Sequence, residues 1–84
     1  MTERIIKINT AFTPATAALL VQKASQYKSH ISLAADEKTA NAKSIMGIIS
    51  LNLHGGSTVR LQADGEDEQK AITEIENFLN VELV

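Results

Sequence analysis

STVRLQADGEDEQKAITEIENFLN, residues 57–80, is the stretch that decides the fold, because a strand pattern changes there into a helix pattern. Val59, Leu61 and Ala63 recur with a period of two, which is typical of a strand that buries one face. The apolar residues that follow recur at helical spacing and predict one buried helix face. That face carries Ala71, Ile72, Ile75, Phe78 and Leu79. A strand followed by an amphipathic helix points to a fold that mixes both element types.

Three consecutive carboxylates mark the start of this helix. Glu66, Asp67 and Glu68 place negative charge where the helix dipole favours it. A calcium loop would need a central glycine and alternating ligands, which this spacing lacks. We therefore predict that the three residues complement the helix dipole rather than bind a metal ion.

Upstream of this stretch, the same two periods predict further strands and helices. The strands are expected at residues 3–8, 30–35 and 38–42, in addition to the strand at 57–63. The first helix begins at Thr13, whose hydroxyl can accept from a free N–H, and at Pro14, which suits the first helical position. Its buried stripe holds Ala17, Leu20, Val21 and Ala24. A second, short helix is expected at residues 44–51.

The resulting order, βαββαβα, predicts an α+β fold in a single domain over residues 1–84. The helices need an apolar face to cover. We therefore expect an open-faced β-sandwich, in which three helices cover one face of a four-stranded antiparallel sheet. The other face of the sheet then carries residues such as Ser32, Arg60 and Gln62.

The composition argues against several classes of function. The 8 Lys and Arg residues against 10 Asp and Glu residues give a net charge of −2, which disfavours direct nucleic-acid binding. The absence of cysteine removes thiolate metal sites and a cysteine nucleophile. No stretch approaches the ~18 apolar residues of a membrane span, and MTERIIKIN, residues 1–9, does not read as a signal peptide. We expect a cytoplasmic protein that acts without a cofactor, a metal ion or a membrane.

A short helix cannot bury every apolar residue of the segment 44–51. If Ile48 and Leu51 belong to the core, a second set is exposed and forms a patch of the kind that binds partners. That set is Ile45, Met46 and Ile49. Methionine suits a surface that adapts to different partners. Gly47 lowers the stability of this helix by up to ~1 kcal/mol relative to alanine.

Ser44 allows two interpretations. As a plain N-cap, it satisfies one free N–H of the helix, and serine is among the commonest caps. As a phosphorylation site, it would place a charge of about −1.5 to −2 at the positive end of the helix dipole. The residues alone favour the plain cap.

Three segments, NAKSIMGIISL at residues 41–51, ALLVQKASQYKSHISL at 18–33 and ADGEDEQKAI at 63–72, together resemble the HPr family, the histidine phosphocarriers of the bacterial sugar phosphotransferase system. NAKSIMGIISL, residues 41–51, is similar to the regulatory-serine segment of that family. ALLVQKASQYKSHISL, residues 18–33, is similar to its first helix and second strand, and ADGEDEQKAI, residues 63–72, to the start of its last helix. The resemblance runs nearly end to end and implies the HPr fold.

The sequence departs from the family at the junction that carries phosphotransfer. The family pattern reads G-x-H-A-R-P-A, whereas residues 11–17 read AFTPATA. Thr13 stands at the position of the phosphorylated histidine and Ala15 at that of the arginine, while the proline has moved from position 16 to Pro14. A threonine hydroxyl is a weak nucleophile without a base, and its phosphate ester is too stable to hand on. We therefore predict a chain that has no catalytic residue, is not an enzyme and is not competent for histidine phosphotransfer.

A catabolite-repression branch of the family also lacks the histidine and keeps the serine. Membership of that branch implies phosphorylation of Ser44 by HPr kinase/phosphorylase. It also implies that the phosphorylated protein acts as a corepressor with a transcription regulator of the CcpA type. The partner-binding residues implied by matched position are Lys43, Ile45, Met46, Ile49, Ala18 and Thr13. The branch keeps the arginine that both partners contact, whereas this chain has Ala15.

Two other functions remain open at this point. The chain could be an interaction module that docks through Met46 and Ile49 without phosphorylation. It could also be a phosphocarrier with a relocated histidine, for which His54 is the candidate, because His30 falls in a strand away from the helix start. The resemblance allows either a monomer or a strand-swapped homodimer.

Overall fold

The computed structural model describes residues 1–9 and 11–80, which form four strands and three helices. In chain order these are β1 (Thr2–Lys7), α1 (Pro14–Ala24), β2 (His30–Ala35), β3 (Lys38–Asn41), α2 (Ile45–Ser50), β4 (Thr58–Asp64) and α3 (Glu68–Leu79). The predicted order βαββαβα is confirmed. Helix α3 begins at Glu68, the last of the three carboxylates predicted at its start, because a turn precedes it.

The four strands form one antiparallel sheet in the order β1-β4-β2-β3. Leu33 in the centre of the sheet lies opposite both Leu61 and Ala40. Helix α3 packs on β1 and β4, α2 packs on β3, and α1 packs on the other two helices. One face of the sheet is therefore covered by helices and the other is bare, as the sequence predicts.

The core lies between this sheet and the helices. Its buried members come from every strand and helix: Ile6, Ile8, Ala17, Leu20, Ala24, Ile31, Leu33, Ala35, Ala40, Ala42, Ile48, Leu51, Leu53, Val59, Leu61, Ala63, Ala71, Ile72, Ile75 and Leu79. Two predicted members of the helix stripes, Val21 and Phe78, are only partly buried. They pack against the edge of the core.

The bare face of the sheet is polar along one row of side chains. Gln62 Nε2 donates to Glu3 Oε2 at 2.6 Å, and Ser32 Oγ donates to Gln62 Oε1 at 3.4 Å. Arg60 lies on the same face and is exposed. Ile5, on that face, is 65% exposed. The predicted outward positions of Ser32, Arg60 and Gln62 are confirmed.

The carboxylates at the start of α3 do more than complement its dipole. Asp67 makes no side-chain capping bond, because its carboxylate accepts from Lys28 N at 2.9 Å, from Ser29 N at 3.0 Å and from Ser29 Oγ. Donation by the Ser29 hydroxyl, followed by that of the Lys28 N–H, lowers the pKa of Asp67 to about 2. Asp67 thus ties the start of α3 to the loop between α1 and β2.

Gly65 allows this close approach. A Cβ at position 65 would lie 2.6 Å from Ser29 Oγ and 2.7 Å from Ser29 Cα, and the φ angle of +157° disfavours other residues. Glu68 accepts in turn from Thr2 Oγ1 and from Gly65 N, and these bonds lower its pKa. The three carboxylates were predicted to act through the dipole alone, and that prediction is incomplete. In the described part of the chain, no group of three His, Asp or Glu side chains could hold a metal ion.

Candidate functional site

The start of α1 is closed by two threonines. Thr13 has extended backbone angles and accepts from Thr16 N at 3.2 Å through its hydroxyl, with Pro14 in the first turn. The hydroxyls of Thr13 and Thr16 are 3.1 Å apart, and Thr16 Oγ1 donates to Ala11 O at 3.3 Å. The predicted Thr–Pro helix start is confirmed, and Thr16 adds a second bond to it.

This arrangement depends on the residue at position 16. A proline there would have no N–H for the Thr13 hydroxyl to accept from. With threonine at 16 and Pro14 near the first helical position, one N–H at the helix start is already satisfied from within the chain. Residues 11–19 carry no charged side chain, and Ala15 is exposed. The junction therefore offers neither an activating base nor a cation that would balance a phosphoryl group.

The start of α2 is capped in the same way but is surrounded differently. Ser44 is exposed, and its Oγ accepts from Gly47 N at 3.2 Å. Its backbone N–H donates to Asn41 O at 3.0 Å and closes the turn that enters the helix. Within residues 1–9 and 11–80, the Ser44 hydroxyl has no second side-chain partner.

Gly47 gives the Ser44 hydroxyl its space. A Cβ at position 47 would lie 3.3 Å from Ser44 Oγ and 3.3 Å from Ala40 Cβ, which is tighter than most contacts of this kind. From the sequence alone, Gly47 is predicted only to lower the stability of this helix. The structure shows that it lets α2 approach β3 closely.

Lys43, immediately before Ser44, bonds to another segment of the same chain. Its Nζ donates to Tyr27 O at 2.8 Å, just beyond the end of α1, and its side chain is half-buried. Its backbone N–H donates to Asn41 Oδ1 at 2.8 Å. The sequence predicts Lys43 as a partner contact and gives no signal of this intramolecular bond, which joins residues 16 positions apart.

The predicted apolar patch on α2 is confirmed. Ile45 is 41% exposed, Met46 79% and Ile49 48%, whereas Ile48 is fully buried and Leu51 is 7% exposed. The exposed side of α1 is also uncharged near its start. It contributes Ala15, Ala18 and Leu19. Leu19 is not among the predicted partner-binding residues. We call these residues of α1, together with Ile45, Met46 and Ile49, the α1–α2 surface.

A hollow of about 170 Å³ lies between the start of α1 and the end of α2. It is lined by Phe12, Thr13, Pro14, Ala17, Ile48, Ile49, Asn52 and Leu53. Thr13 and Ile49 thus share one depression between the start of α1 and the end of α2. Its lining contains no acidic, basic or imidazole group, so the residues that line it offer no group for proton transfer.

Neither histidine reaches this hollow. His54 lies in the loop after α2, with its Nδ1 3.0 Å from Gly55 O, and it lines a separate hollow of about 160 Å³ with residues that include Asp36 and Ser57. His30 is exposed at the first residue of β2, opposite Asp64. The structure does not bring either imidazole to the start of α1.

No helix in the part of the chain that the structure describes has the length and hydropathy needed to cross a membrane.

The chain is similar to known proteins both in sequence and in structure. Residues 4–81 match the family model described as the PTS HPr component phosphorylation site. The chain is 42% identical over 77 residues to the HPr-like protein Crh of Halalkalibacterium halodurans, covering 92% of each chain. It is similar in structure to the phosphocarrier protein HPr of Bacillus anthracis, with a TM-score of 0.90, 31% identity and coverage of 94% of this chain and 96% of the other.

A third likeness is to the catabolite-repression protein Crh of Bacillus subtilis. The TM-score is 0.76 and the identity 40%, with coverage of 88% of this chain and 85% of the other. That crystal structure shows a swapped domain and an intertwined dimer.

Proposed function

The chain belongs to the HPr family, and from that membership we propose that it is a regulatory protein that is phosphorylated on Ser44 and does not transfer phosphate through position 13. One contrast supports this proposal more than any other observation. The Ser44 hydroxyl is exposed beside an apolar patch, whereas the Thr13 hydroxyl is bonded to a second threonine in a junction without charge.

The chemistry of Thr13 supports the loss of phosphotransfer. A histidine phosphocarrier uses an imidazole that is nucleophilic near neutral pH, and its phosphoramidate gives the group up readily. The Thr13 hydroxyl would need a base to become nucleophilic, and no base lies in its hollow. Ala15 offers no cation to a phosphoryl group. The chain is then a substrate and a binding partner of other proteins rather than an enzyme.

At Ser44 the proposed reaction is a transfer from ATP. The Ser44 Oγ attacks the γ-phosphorus, the bond from that phosphorus to the β–γ bridging oxygen breaks, and the hydroxyl proton passes to a base of the kinase. The products are ADP and a phosphoserine that carries about −1.5 to −2 charges. The N–H of Gly47 then faces a stronger acceptor than the hydroxyl it now bonds.

The proposed partners are an HPr kinase/phosphorylase and a transcription regulator of the CcpA type, in carbon catabolite repression in the cytoplasm. Similarity to two Crh proteins supports this assignment. The regulator would dock on the α1–α2 surface around Ser44 and against Thr13. Because Ala15 replaces an arginine of the family pattern, this docking relies on apolar contacts and on the phosphate rather than on an ion pair at position 15.

The test is phosphorylation by the family's kinase with ATP, followed by mass spectrometry of the intact protein. The wild type is expected to gain one phosphate, and Ser44→Ala to gain none. Ser50→Ala, at the other end of α2, is the matched control and is expected to behave as the wild type. An unmodified wild type, or label that survives Ser44→Ala, contradicts the proposal.

The exposure of Met46 favours a second candidate, an interaction module that needs no phosphate. In a pull-down with the regulator, that function predicts binding that is unchanged by Ser44→Ala and lost in Met46→Asp. Ile5→Asp is a suitable control, because Ile5 is 65% exposed on the opposite face of the molecule. Binding that requires both Ser44 and the kinase rejects this second candidate.

The assembly is proposed to be a monomer or a strand-swapped homodimer. The swapped dimer of the Bacillus subtilis relative supports the second form. Light scattering after size-exclusion chromatography distinguishes the two by mass.

A further inference from the structure

The short segment that enters α2 is anchored at three points. The N–H of Ser44 bonds Asn41 O, the N–H of Lys43 bonds Asn41 Oδ1, and Lys43 Nζ bonds Tyr27 O at 2.8 Å. The first two bonds are local to the turn between β3 and α2. The third joins this turn to the chain just after α1. The turn is also held to β2, because Ala42 N donates to Ile31 O at 2.9 Å, so the bond of Lys43 is the one that links it to the end of α1.

Helix α2 needs such an anchor because it is short. It has six residues, and helices far longer than this are marginal when isolated in water. Of its residues only Ile48 is buried. A helix with so few contacts of its own takes its position from the segments that flank it, and on the N-terminal side that segment is Lys43 and Ser44.

We infer that Lys43 is a positioning residue for Ser44, which acts through its bond to Tyr27 O and not through contact with a partner. The bond holds the start of α2 against the end of α1. It thereby keeps the Ser44 hydroxyl capped on Gly47 N and exposed to a kinase. This inference rests on the proposed phosphorylation of Ser44 for its functional meaning, but the structural effect stands without it.

The burial of Lys43 supports this role. A lysine that serves as an open contact extends its ammonium into water, whereas this side chain is half-buried and its ammonium is within hydrogen-bond distance of a carbonyl. That carbonyl belongs to Tyr27, whose own N–H bonds Ala24 O in the last turn of α1. Lys43 therefore joins the end of one helix to the start of the next.

Two variants isolate the bond. Lys43→Met keeps the apolar stem of the side chain and removes the donor, whereas Lys43→Arg keeps a donor that can reach a carbonyl. Lys70→Met is the matched control, because Lys70 is an exposed lysine on α3. Amide hydrogen exchange of Gly47 reports the Ser44 cap directly, and the amide of Leu61 in the central strand β4 serves as the reference for global unfolding.

In Lys43→Met, exchange at Gly47 is expected to rise roughly fivefold relative to Leu61, which is the effect of losing one hydrogen bond of ordinary strength. Lys43→Arg should restore most of the protection, and Lys70→Met should change nothing. With the kinase and ATP, Lys43→Met should lower kcat by a similar factor, because the Ser44 hydroxyl is held in place for a smaller fraction of the time, whereas removal of a direct kinase contact would raise KM.

Unchanged exchange at Gly47 in Lys43→Met overturns the inference. So does a rise in KM alone, which is the result expected if Lys43 contacts the kinase. If the kinase does not modify the wild type, the proposed function fails, but the exchange measurement still decides whether Lys43 positions Ser44.

Discussion

The starts of α1 and α2 are built alike and differ in what surrounds them. Thr13 and Ser44 each accept from the N–H of the third residue onward, and both distances are 3.2 Å. The Thr13 hydroxyl also contacts the hydroxyl of Thr16, and the residues around it carry no charge. The Ser44 hydroxyl has a single partner in the described ranges 1–9 and 11–80, and an anchored lysine precedes it.

An N-cap hydroxyl alone does not define a functional site. The two hydroxyls satisfy the same need of the helix backbone. What separates them is the second bond at Thr13, the glycine that leaves room at Ser44, and the exposed Ile45 and Met46 next to Ser44. The Thr13 hydroxyl is therefore tied into its own junction, whereas the Ser44 hydroxyl is exposed and bonds the N–H of Gly47 alone within the described residues.

The largest effect is expected when the start of α1 is converted back to the family pattern. The combined change Thr13→His, Pro14→Ala, Ala15→Arg and Thr16→Pro is expected to take the chain from no phosphotransfer to clear labelling by enzyme I with phosphoenolpyruvate. Thr13→His alone should stay unlabelled, because it lacks the arginine and leaves position 16 unchanged. Acid-labile phosphate on the protein is the measurement. Equal labelling of the single variant would show that the junction has kept its phosphate cradle.

The start of α3 offers a third case, in which the cap residue bonds a distant loop. Asp67→Asn is expected to destabilise the protein at pH 7, since the charged acceptor of three donors is lost. Because the folded pKa of Asp67 is lowered from 3.8 to about 2, its stabilisation is present above pH 3.8 and is lost as the pH falls towards 2.

The difference in urea midpoint between the wild type and Asp67→Asn should therefore be greatest near pH 7 and vanish near pH 2. Asp36→Asn, in the exposed turn between β2 and β3, is the control. A difference that persists unchanged at pH 2 would mean that the charge of Asp67 is not what stabilises this junction.

Removal of either helix cap should have a smaller effect, which is on the free energy of unfolding. Thr13→Ala is expected to lower the free energy of unfolding by about 1–2 kcal/mol and Ser44→Ala by about 0.5–1 kcal/mol. The larger loss is at Thr13, because its hydroxyl has two partners and heads an 11-residue helix packed on the core. Thr73→Ala, at an exposed position of α3, should stay within about 0.5 kcal/mol of the wild type in the same thermal or urea unfolding experiment. A larger loss in Ser44→Ala than in Thr13→Ala would show that the cap of α2 contributes more to the free energy of unfolding than the cap of α1.

The smallest effect is expected at Gly47. Alanine gains up to ~1 kcal/mol of helix propensity, but its Cβ meets Ser44 Oγ and Ala40 Cβ at 3.3 Å, so Gly47→Ala should change the free energy of unfolding by less than about 1 kcal/mol. The rotamer and phosphorylation of Ser44 are the sharper readouts. A full gain of helix stability without any change at Ser44 would show that the space beside this hydroxyl is not needed.

Most of the fold follows from the sequence because it depends on local patterns. The period of two in β4, the period of 3.6 in α3 and the caps at Thr13 and Ser44 each involve neighbours in the chain. The same locality predicts the exposed patch of α2, since Ile48 and Ile49 on a short helix cannot both face the core.

What the sequence does not predict are bonds between distant residues. Lys43 and Tyr27 are 16 positions apart, and Asp67 and Ser29 are 38 positions apart. Only the packing of α1 against α2 and against α3 brings these pairs together. The family resemblance implies that Lys43 binds a partner and gives no sign of its bond to Tyr27, and Gly65 likewise carries no signal of its contact with Ser29.

The strand order also constrains how the protein folds as it is synthesised. Among the described strands, β1 pairs with β4 alone, so that Thr2 lies opposite Ala63 and Lys7 opposite Thr58. The neighbouring strands β2 and β3 can pair as soon as both have left the ribosome. Strand β1 can pair only after its partner β4, which ends at Asp64, has been synthesised. The sheet is therefore completed by pairing between its first and fourth strands in chain order, and contacts of such large sequence separation are associated with slower folding.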